Sequence, residues 1–304
     1  MSRPSVDLAK IAAGLSETFA DLAPVRIVGV LGRGFNSIAV ETGSGLVFRV
    51  AKTPGTAERY ARESCLLPII HPHLPIAIPN PRWLSDRSPV FPYGVSGYEK
   101  LPGVVLSPAL LRTGTMSALA EQTAQVLLAL HHIPLDAVAR CGLARPEDSP
   151  AQHRTVREET TPVLRARLSA GEFARIERWW DAFLEDKRLS QFEPALTHND
   201  FWYENMLVEG TASRLVGVVD WEYAAISDPA VDFSFHLGPD FRTRVIDSYR
   251  RAGGRFAGEE EHRMRRLWEL REFYGVHHSV RFQDEAELAD SIRKLLAGPI
   301  FDHP

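Results

Sequence analysis

Cysteine is almost missing from this chain: Cys65 and Cys141 are the only two in 304 residues. They allow at most one bridge and no cysteine-rich metal knuckle, and the expectation is a reduced, intracellular protein. A surplus of either charge is missing too, with 35 Lys and Arg against 39 Asp and Glu, a net charge of −4 and a pI near 6.3. That excludes a basic face built for nucleic acid or an anionic membrane and leans towards cationic or neutral partners. No stretch reaches the roughly eighteen apolar residues of a membrane span. The opening MSRPSVDLAK has no apolar leader, so the expected location is the cytoplasm, as a monomer or weak dimer. Internal repeats and low-complexity tracts are also missing, and the prolines from Pro68 to Pro92 read as strand edges and turns. What is present is 44% hydrophobic residues over a length sufficient for two lobes around a cleft.

The chemistry is densest from Leu196 to Asp232, LTHNDFWYENMLVEGTASRLVGVVDWEYAAISDPAVD. His198, Asp200 and Asn205 stand in the order H-x-D-x-x-x-x-N, and Asp220 follows the apolar run Leu215 to Val219. In kinase chemistry the loop Asp accepts the proton of an attacking hydroxyl, while the Asn five residues on and an Asp ending a later strand hold magnesium. Asp200, Asn205 and Asp220 fit those three roles. The segment Met206 to Val208 is expected to pair with Leu215 to Val219 across the turn Glu209 to Ser213, which brings Asn205 beside Asp220. Two hard oxygen ligands, completed by phosphate oxygens, suit Mg2+ better than zinc. His198 is the competing base but reads better as a residue that orients the loop, and Asp232 is placed to hydrogen-bond the loop backbone.

The run HND, then Asn205, then DWE and ISDPAVDF resembles the catalytic core of the aminoglycoside phosphotransferase family, bacterial small-molecule kinases with a protein-kinase-like fold. Nearly the whole chain can be laid on that plan. The resemblance implies an α+β, two-lobed architecture. A nucleotide-binding lobe with an antiparallel sheet spans 1–102, the hinge lies near 98–103, and a larger, mostly helical catalytic and acceptor-binding lobe spans 103–304. It also implies a Mg2+-dependent transfer of the γ-phosphoryl group of ATP or GTP to a hydroxyl.

The amino-terminal half reads accordingly. Apolar spacing from Val6 to Leu22 predicts an amphipathic helix. The strand Val25 to Leu31 empties into Gly32-Arg33-Gly34-Phe35-Asn36-Ser37 and is followed by a strand from Ile38 to Glu41. Gly32 and Gly34 let backbone N–H groups approach phosphate oxygens, and Ser37 completes the loop. After the turn Gly43 to Gly45, the strand Leu46 to Lys52 carries the phosphate-gripping cation. Arg49 occupies the family's basic position, where Lys is commoner; Lys52 competes, and strand alternation puts the two on opposite faces. In the helix Thr56 to Leu67, Glu63 is preferred to Glu58 as partner of that cation. Tyr98, Glu99 and Leu101 fall at the hinge that binds the base through backbone groups. A bulky Tyr98 behind the base narrows the adenine route and makes GTP a live donor.

In the second lobe, helices are expected over Thr115 to His132, Gly171 to Arg188, Phe241 to Ala252, Glu259 to Tyr274 and Asp284 to Leu296. His131 and His132 read as helix-end residues rather than metal ligands. Glu222, Trp268, Glu269, Glu272 and His278 are the candidate acceptor contacts. Between Glu259 and Asp290 nine carboxylates outnumber five arginines, an excess that either attracts a polyamine sugar or simply solvates a helical surface. The favoured acceptor is an aminoglycoside; a macrolide, or a small alcohol such as choline or homoserine, is the alternative. A nucleotide-binding pseudokinase is the rival from another class. Protein kinases are disfavoured because Trp-Glu, not Phe-Gly, follows Asp220 and no Ala-Pro-Glu segment follows it.

Overall fold

The computed structural model describes residues 7–301 apart from 35, 112, 211–212 and 234–237. Val6 of the first predicted helix, Phe35 of the glycine loop and the middle of the 209–213 turn therefore lie outside the described residues. Helix α1 (Leu8–Thr18) begins where Asp7 accepts the backbone N–H of Lys10, and it buries Ile11 and Leu15. The strands β1 (Ile27–Arg33), β2 (Ser37–Thr42) and β3 (Leu46–Ala51) then form an antiparallel meander. Helix α2 (Thr56–Ile70) follows, and β4 (Trp83–Ser85) and β5 (Val95–Glu99) complete a five-stranded sheet in the order β1-β2-β3-β5-β4. Phe48 on β3 faces Gly97 on β5, where a Cβ would stand 2.3 Å from the Phe48 ring, so only glycine admits that ring. Phe48, Val40, Val95, Leu15 and Phe91 form the core of this lobe.

Beyond β5 the chain crosses through β6 (Val104–Val105) into helices α3 (Thr113–His131), α4 (Leu135–Val138), α5 (Ser149–Arg167) and α6 (Ala170–Leu184). The short strands β7 (Ala195–Thr197), β8 (Met206–Val208), β9 (Leu215–Val218) and β10 (Ala225–Ser227) carry the segment from Leu196 to Asp232. Helices α7 (Pro239–Arg251), α8 (Glu260–Phe282) and α9 (Glu285–Leu296) close the chain. Strand β8 pairs with β9, Met206 opposite Val218 and Leu207 opposite Gly217, as the hairpin reading expected. Ala77, in the segment leading to β4, bridges to Gly217, exchanging hydrogen bonds with Val216 and Val218, so the segment between α2 and β4 is pinned to β9. No described helix is long and apolar enough to cross a membrane.

Two expectations need correction, and one long helix falls where none is expected. Cys65 and Cys141 are not reduced thiols: they form a disulfide, because α2 and the turn at 139–141 bring their Cα atoms to 5.5 Å. Composition reports how many cysteines exist, not which ones tertiary packing brings together across 76 positions. Helix α5 buries only Val156, Thr160 and Leu164, a stripe too narrow to register as hydrophobic periodicity. Helix α8 was expected to stop before Gly275 yet runs to Phe282. Gly275 faces Ser291 of α9 so closely that a Cβ would stand 2.7 Å from its Oγ, so the glycine serves helix packing rather than helix termination.

Candidate active site

The site is built on the loop between β7 and β8. Antiparallel pairing of β7 with β10 sets its entry, and Asp232 then ties it down. The two Asp232 oxygens accept the backbone N–H groups of His198 (2.9 Å) and Asn199 (2.8 Å). The same carboxylate accepts Nε2–H of His131 at 3.1 Å, and the hydroxyl of Tyr249 donates to His131 Nδ1 at 3.0 Å. His131 is thus more than a helix-end residue. It is the inner end of a brace from α7 to the loop, and its separation from the motif hid it from a sequence reading. Asp232 is completely buried, so Asp232→Ala leaves three donors without a partner. The expected loss is about 2–3 kcal/mol in denaturant unfolding, with His131→Phe costing about 1 kcal/mol.

His198 is also fully buried, its ring edge-on to Trp221 and Phe201 and its Nε2–H given to the Val219 carbonyl at 3.1 Å. Burial pushes its pKa down and keeps it neutral. A ring so enclosed orients the loop and cannot meet a substrate hydroxyl. Asn199 and Asp220 both hold left-handed backbone, φ 63° and 65°, a conformation uncommon for residues other than glycine and frequent where function fixes geometry.

Asp200 is partly exposed, and Asn205 reaches back to it, its amide donating to the Asp200 carbonyl (2.9 Å) and carboxylate (3.0 Å). With its Nδ2 committed there, the Asn205 carbonyl oxygen is the end of the amide that remains for a cation. The backbone N–H of Val219 donates to the backbone carbonyl of Asn205 at 2.9 Å, extending the β8–β9 ladder and bringing Asn205 level with the residue before Asp220. Burial, and next the charge of Asp220, raise the Asp200 pKa to about 8.

Arg49 is the centre of the charge network. Its Nη1 makes a fork on Glu63, 2.9 and 2.8 Å, while Nη2 bridges Asp220 and Glu222, each at 2.8 Å. Its guanidinium also lies over the Tyr60 ring, 5.1 Å from the centroid. Lys52, on the other face of β3, donates to the Gly34 carbonyl at 2.6 Å and so props the glycine loop. Alternation along β3 left the choice open; α2 decides it by presenting Glu63, while Glu58 stays at the exposed start of that helix. Burial raises Glu63 to about 7, with Arg49 opposing. The Asp220 side chain is 41% exposed where Arg49 and Glu222 are each 6%, so Asp220 is the carboxylate that faces the cleft.

At the glycine loop, the Asn36 amide crosses to the other lobe and donates to Glu222 Oε1 (2.8 Å) and the Tyr223 hydroxyl (2.7 Å). A Cβ at Gly32 would meet nothing within 4 Å, and its φ is not positive, so the fold itself does not require glycine there. Tyr98 is buried on β5 opposite Val47, Glu99 is exposed and paired with Arg82, and Leu101 lies against Gly217.

The five candidate acceptor residues are not gathered into one site. Glu222 spends both oxygens on Arg49 and Asn36. Glu269 is buried between helices, where it accepts Trp179 Nε1–H (2.8 Å) and Arg266 (2.6 Å). Trp268 packs under Arg271, which also donates to Glu272. His278 stacks on Phe282, and burial lowers its pKa to about 4. The carboxylate excess of this region is largely paired: Glu260 with Arg250, Glu285 with Arg167, Asp290 with Arg293 and Lys294.

Residues 30–270 match the model of the phosphotransferase enzyme family. The chain belongs to this family. Among its members of known structure, APH(2")-IIIa in its GDP and kanamycin complex superposes with a TM-score of 0.82 at 20% identity, covering 94% of this chain and 97% of that one. Macrolide 2'-phosphotransferase type I superposes with a TM-score of 0.68 at 20% identity, over 96% and 99%. The uncharacterized protein YcbJ of Bacillus subtilis (strain 168) is 22% identical over 233 residues, 73% of each chain. These likenesses establish the kinase-like fold of aminoglycoside phosphotransferases, with its antiparallel amino-terminal sheet.

Proposed function

We propose that this phosphotransferase is a magnesium-dependent kinase that moves the γ-phosphoryl group of ATP or GTP to a hydroxyl of an aminoglycoside. The observation that carries the reading is the convergence of Asp200, Asn205, Asp220 and the Arg49–Glu63 pair around one cleft. No group of three or more His, Cys, Asp or Glu among the described residues could hold an ion by itself. The oxygens of Asn205 and Asp220 nevertheless fit magnesium, a hard cation that keeps several water or phosphate ligands. When bound, magnesium neutralises charge on the phosphate oxygens.

Asp200 would orient the acceptor hydroxyl and take its proton. Arg49, fixed on Glu63 through Nη1, would turn Nη2 from the Asp220–Glu222 bridge to the nucleotide phosphates, a planar donor in place of the commoner ammonium. The glycine loop would cover those phosphates through backbone N–H groups in the open space above Gly32. Catalysis then rests on positioning and charge neutralisation rather than on a covalent intermediate. Among relatives of known structure, APH(2")-IIIa binds GDP and kanamycin, which supports both the donor and the acceptor class.

The test is product mass after incubation of the purified chain with magnesium, ATP or GTP, and kanamycin, gentamicin or a macrolide. One added phosphate on an aminoglycoside, abolished by chelator, is the expected result. Phosphate on the macrolide alone moves the acceptor to that class. Tight nucleotide binding with transfer to none of them removes the kinase reading for these acceptors in favour of a regulatory nucleotide-binding role.

A further inference from the structure

Between the proposed base and the proposed metal ligand the loop carries Phe201, Trp202, Tyr203 and Glu204, and the four are treated unequally. Phe201 is 4% exposed and anchors the loop against His198. Trp202 and Tyr203 are half-exposed and stack on each other, rings 4.6 Å apart at 26°, and Glu204 is exposed. The Asp200 carbonyl accepts the Trp202 N–H at 2.8 Å, so this aromatic pair begins within one turn of the base. The turn Tyr203–Asn205 then brings Asn205 back to Asp200, which leaves 202–204 as the outward bulge of the loop. The Tyr203 hydroxyl hydrogen-bonds Glu204, and near it stands Lys294 of α9, itself held by Asp290 at 2.7 Å. Nothing in the base, phosphate or metal roles uses these three side chains.

We propose that Trp202, Tyr203 and Glu204 form the acceptor subsite that holds an aminated sugar ring, its C–H face on the aromatic pair and its ammonium on Glu204. The proposal rests on the kinase reading above and names the substrate feature that its site selects. A flat apolar surface and one carboxylate match a ring with one hydrophobic face and a cationic substituent, the pairing of apolar lining and few polar groups usual in small-molecule sites. Because the platform is joined to the base through two peptide bonds, a ring seated on it carries its hydroxyl to Asp200 with little freedom lost at the chemical step.

The test measures KM for kanamycin and for nucleotide separately in the full-length chain with magnesium. Trp202→Ala is expected to raise the kanamycin KM about tenfold or more, with Trp202→Phe recovering most of the loss because a π face remains. Glu204→Gln is expected to raise the kanamycin KM by a similar factor, shrinking with added salt. In all three variants the nucleotide KM should stay within about twofold of the parent, which excludes general misfolding. If the parent phosphorylates kanamycin but Trp202→Ala and Glu204→Gln leave its KM unchanged, the subsite is overturned and the kinase reading stands. If the parent phosphorylates none of kanamycin, gentamicin or a macrolide, the functional reading and the subsite both fall.

Discussion

Replacing Asp200 by Asn is expected to lower phosphoryl transfer by about 10³-fold or more, in the range of a lost general base, while nucleotide binding persists. Asparagine keeps the volume and can still meet the Asn205 amide, but it cannot take a proton. Steady-state turnover and nucleotide titration by calorimetry check the two halves of this statement. Stability should move the other way. Burial and the Asp220 charge raise Asp200 to about 8, above its ordinary carboxylate value of 3.8. A group whose pKa is raised by folding contributes stability that is full below its unfolded pKa and is lost as the pH climbs to the folded one. The metal-free chain should therefore melt at a lower temperature at about pH 8 than at about pH 5, with Glu63 contributing in the same direction. Asp200→Asn should flatten that slope and raise the midpoint at about pH 8 by a few degrees. An unchanged slope in the variant would mean that the Asp200 carboxylate is ordinary, and its environment wrongly described.

Removal of Arg49 should have the second largest effect. In Arg49→Ala, Glu63 keeps a side chain only 1% exposed without the Arg49 guanidinium, and Glu222, at 6% exposure, loses that guanidinium and keeps the Asn36 amide. Breaking one side of a buried ion pair costs about 3–5 kcal/mol, and the midpoint of thermal unfolding should fall by about 10 °C. Asp220 contributes less because its carboxylate can turn to water. Transfer should fall too, and Arg49→Lys should restore stability only in part, since an ammonium cannot span Glu63, Asp220 and Glu222 together as the fork does. Adding Glu63→Gln to Arg49→Ala should recover part of the lost stability by removing the orphaned charge; no recovery would refute the ion-pair account. Far-ultraviolet circular dichroism melts of the single and double variants supply the measurement.

Local order made the catalytic half legible. His198, Asp200, Asn205 and Asp220 lie within twenty-three positions, and a two-residue strand period and one hairpin suffice to predict that the segment after Asn205 pairs with the strand leading to Asp220. Where three-dimensional neighbours come from remote segments, pattern gave no purchase. His131 reaches Asp232 across 101 positions, and Asn36 reaches Glu222 across 186. Glu269 and Trp268 are adjacent on one helix, yet one is sealed against Trp179 and the other is covered by Arg271, a difference that helical spacing alone does not settle for a helix packed on several sides.

By itself the sequence determined the phosphotransferase plan: the order of Asp200, Asn205 and Asp220, the glycine loop between two strands, and the acidic helix residue that follows the basic strand. These are set by short-range periodicity and by residue chemistry, which survive without knowledge of packing. Only the tertiary structure decided that Arg49 rather than Lys52 faces Glu63, that Cys65 and Cys141 are bonded, that His131 stands behind Asp232, and that Glu222 closes on Arg49 and Asn36 instead of reaching outward. The reason is physical. Strand alternation says that two residues face opposite ways without saying which way is in, and that sign is fixed only when α2 and the second lobe pack against the sheet and bury one face with its charges.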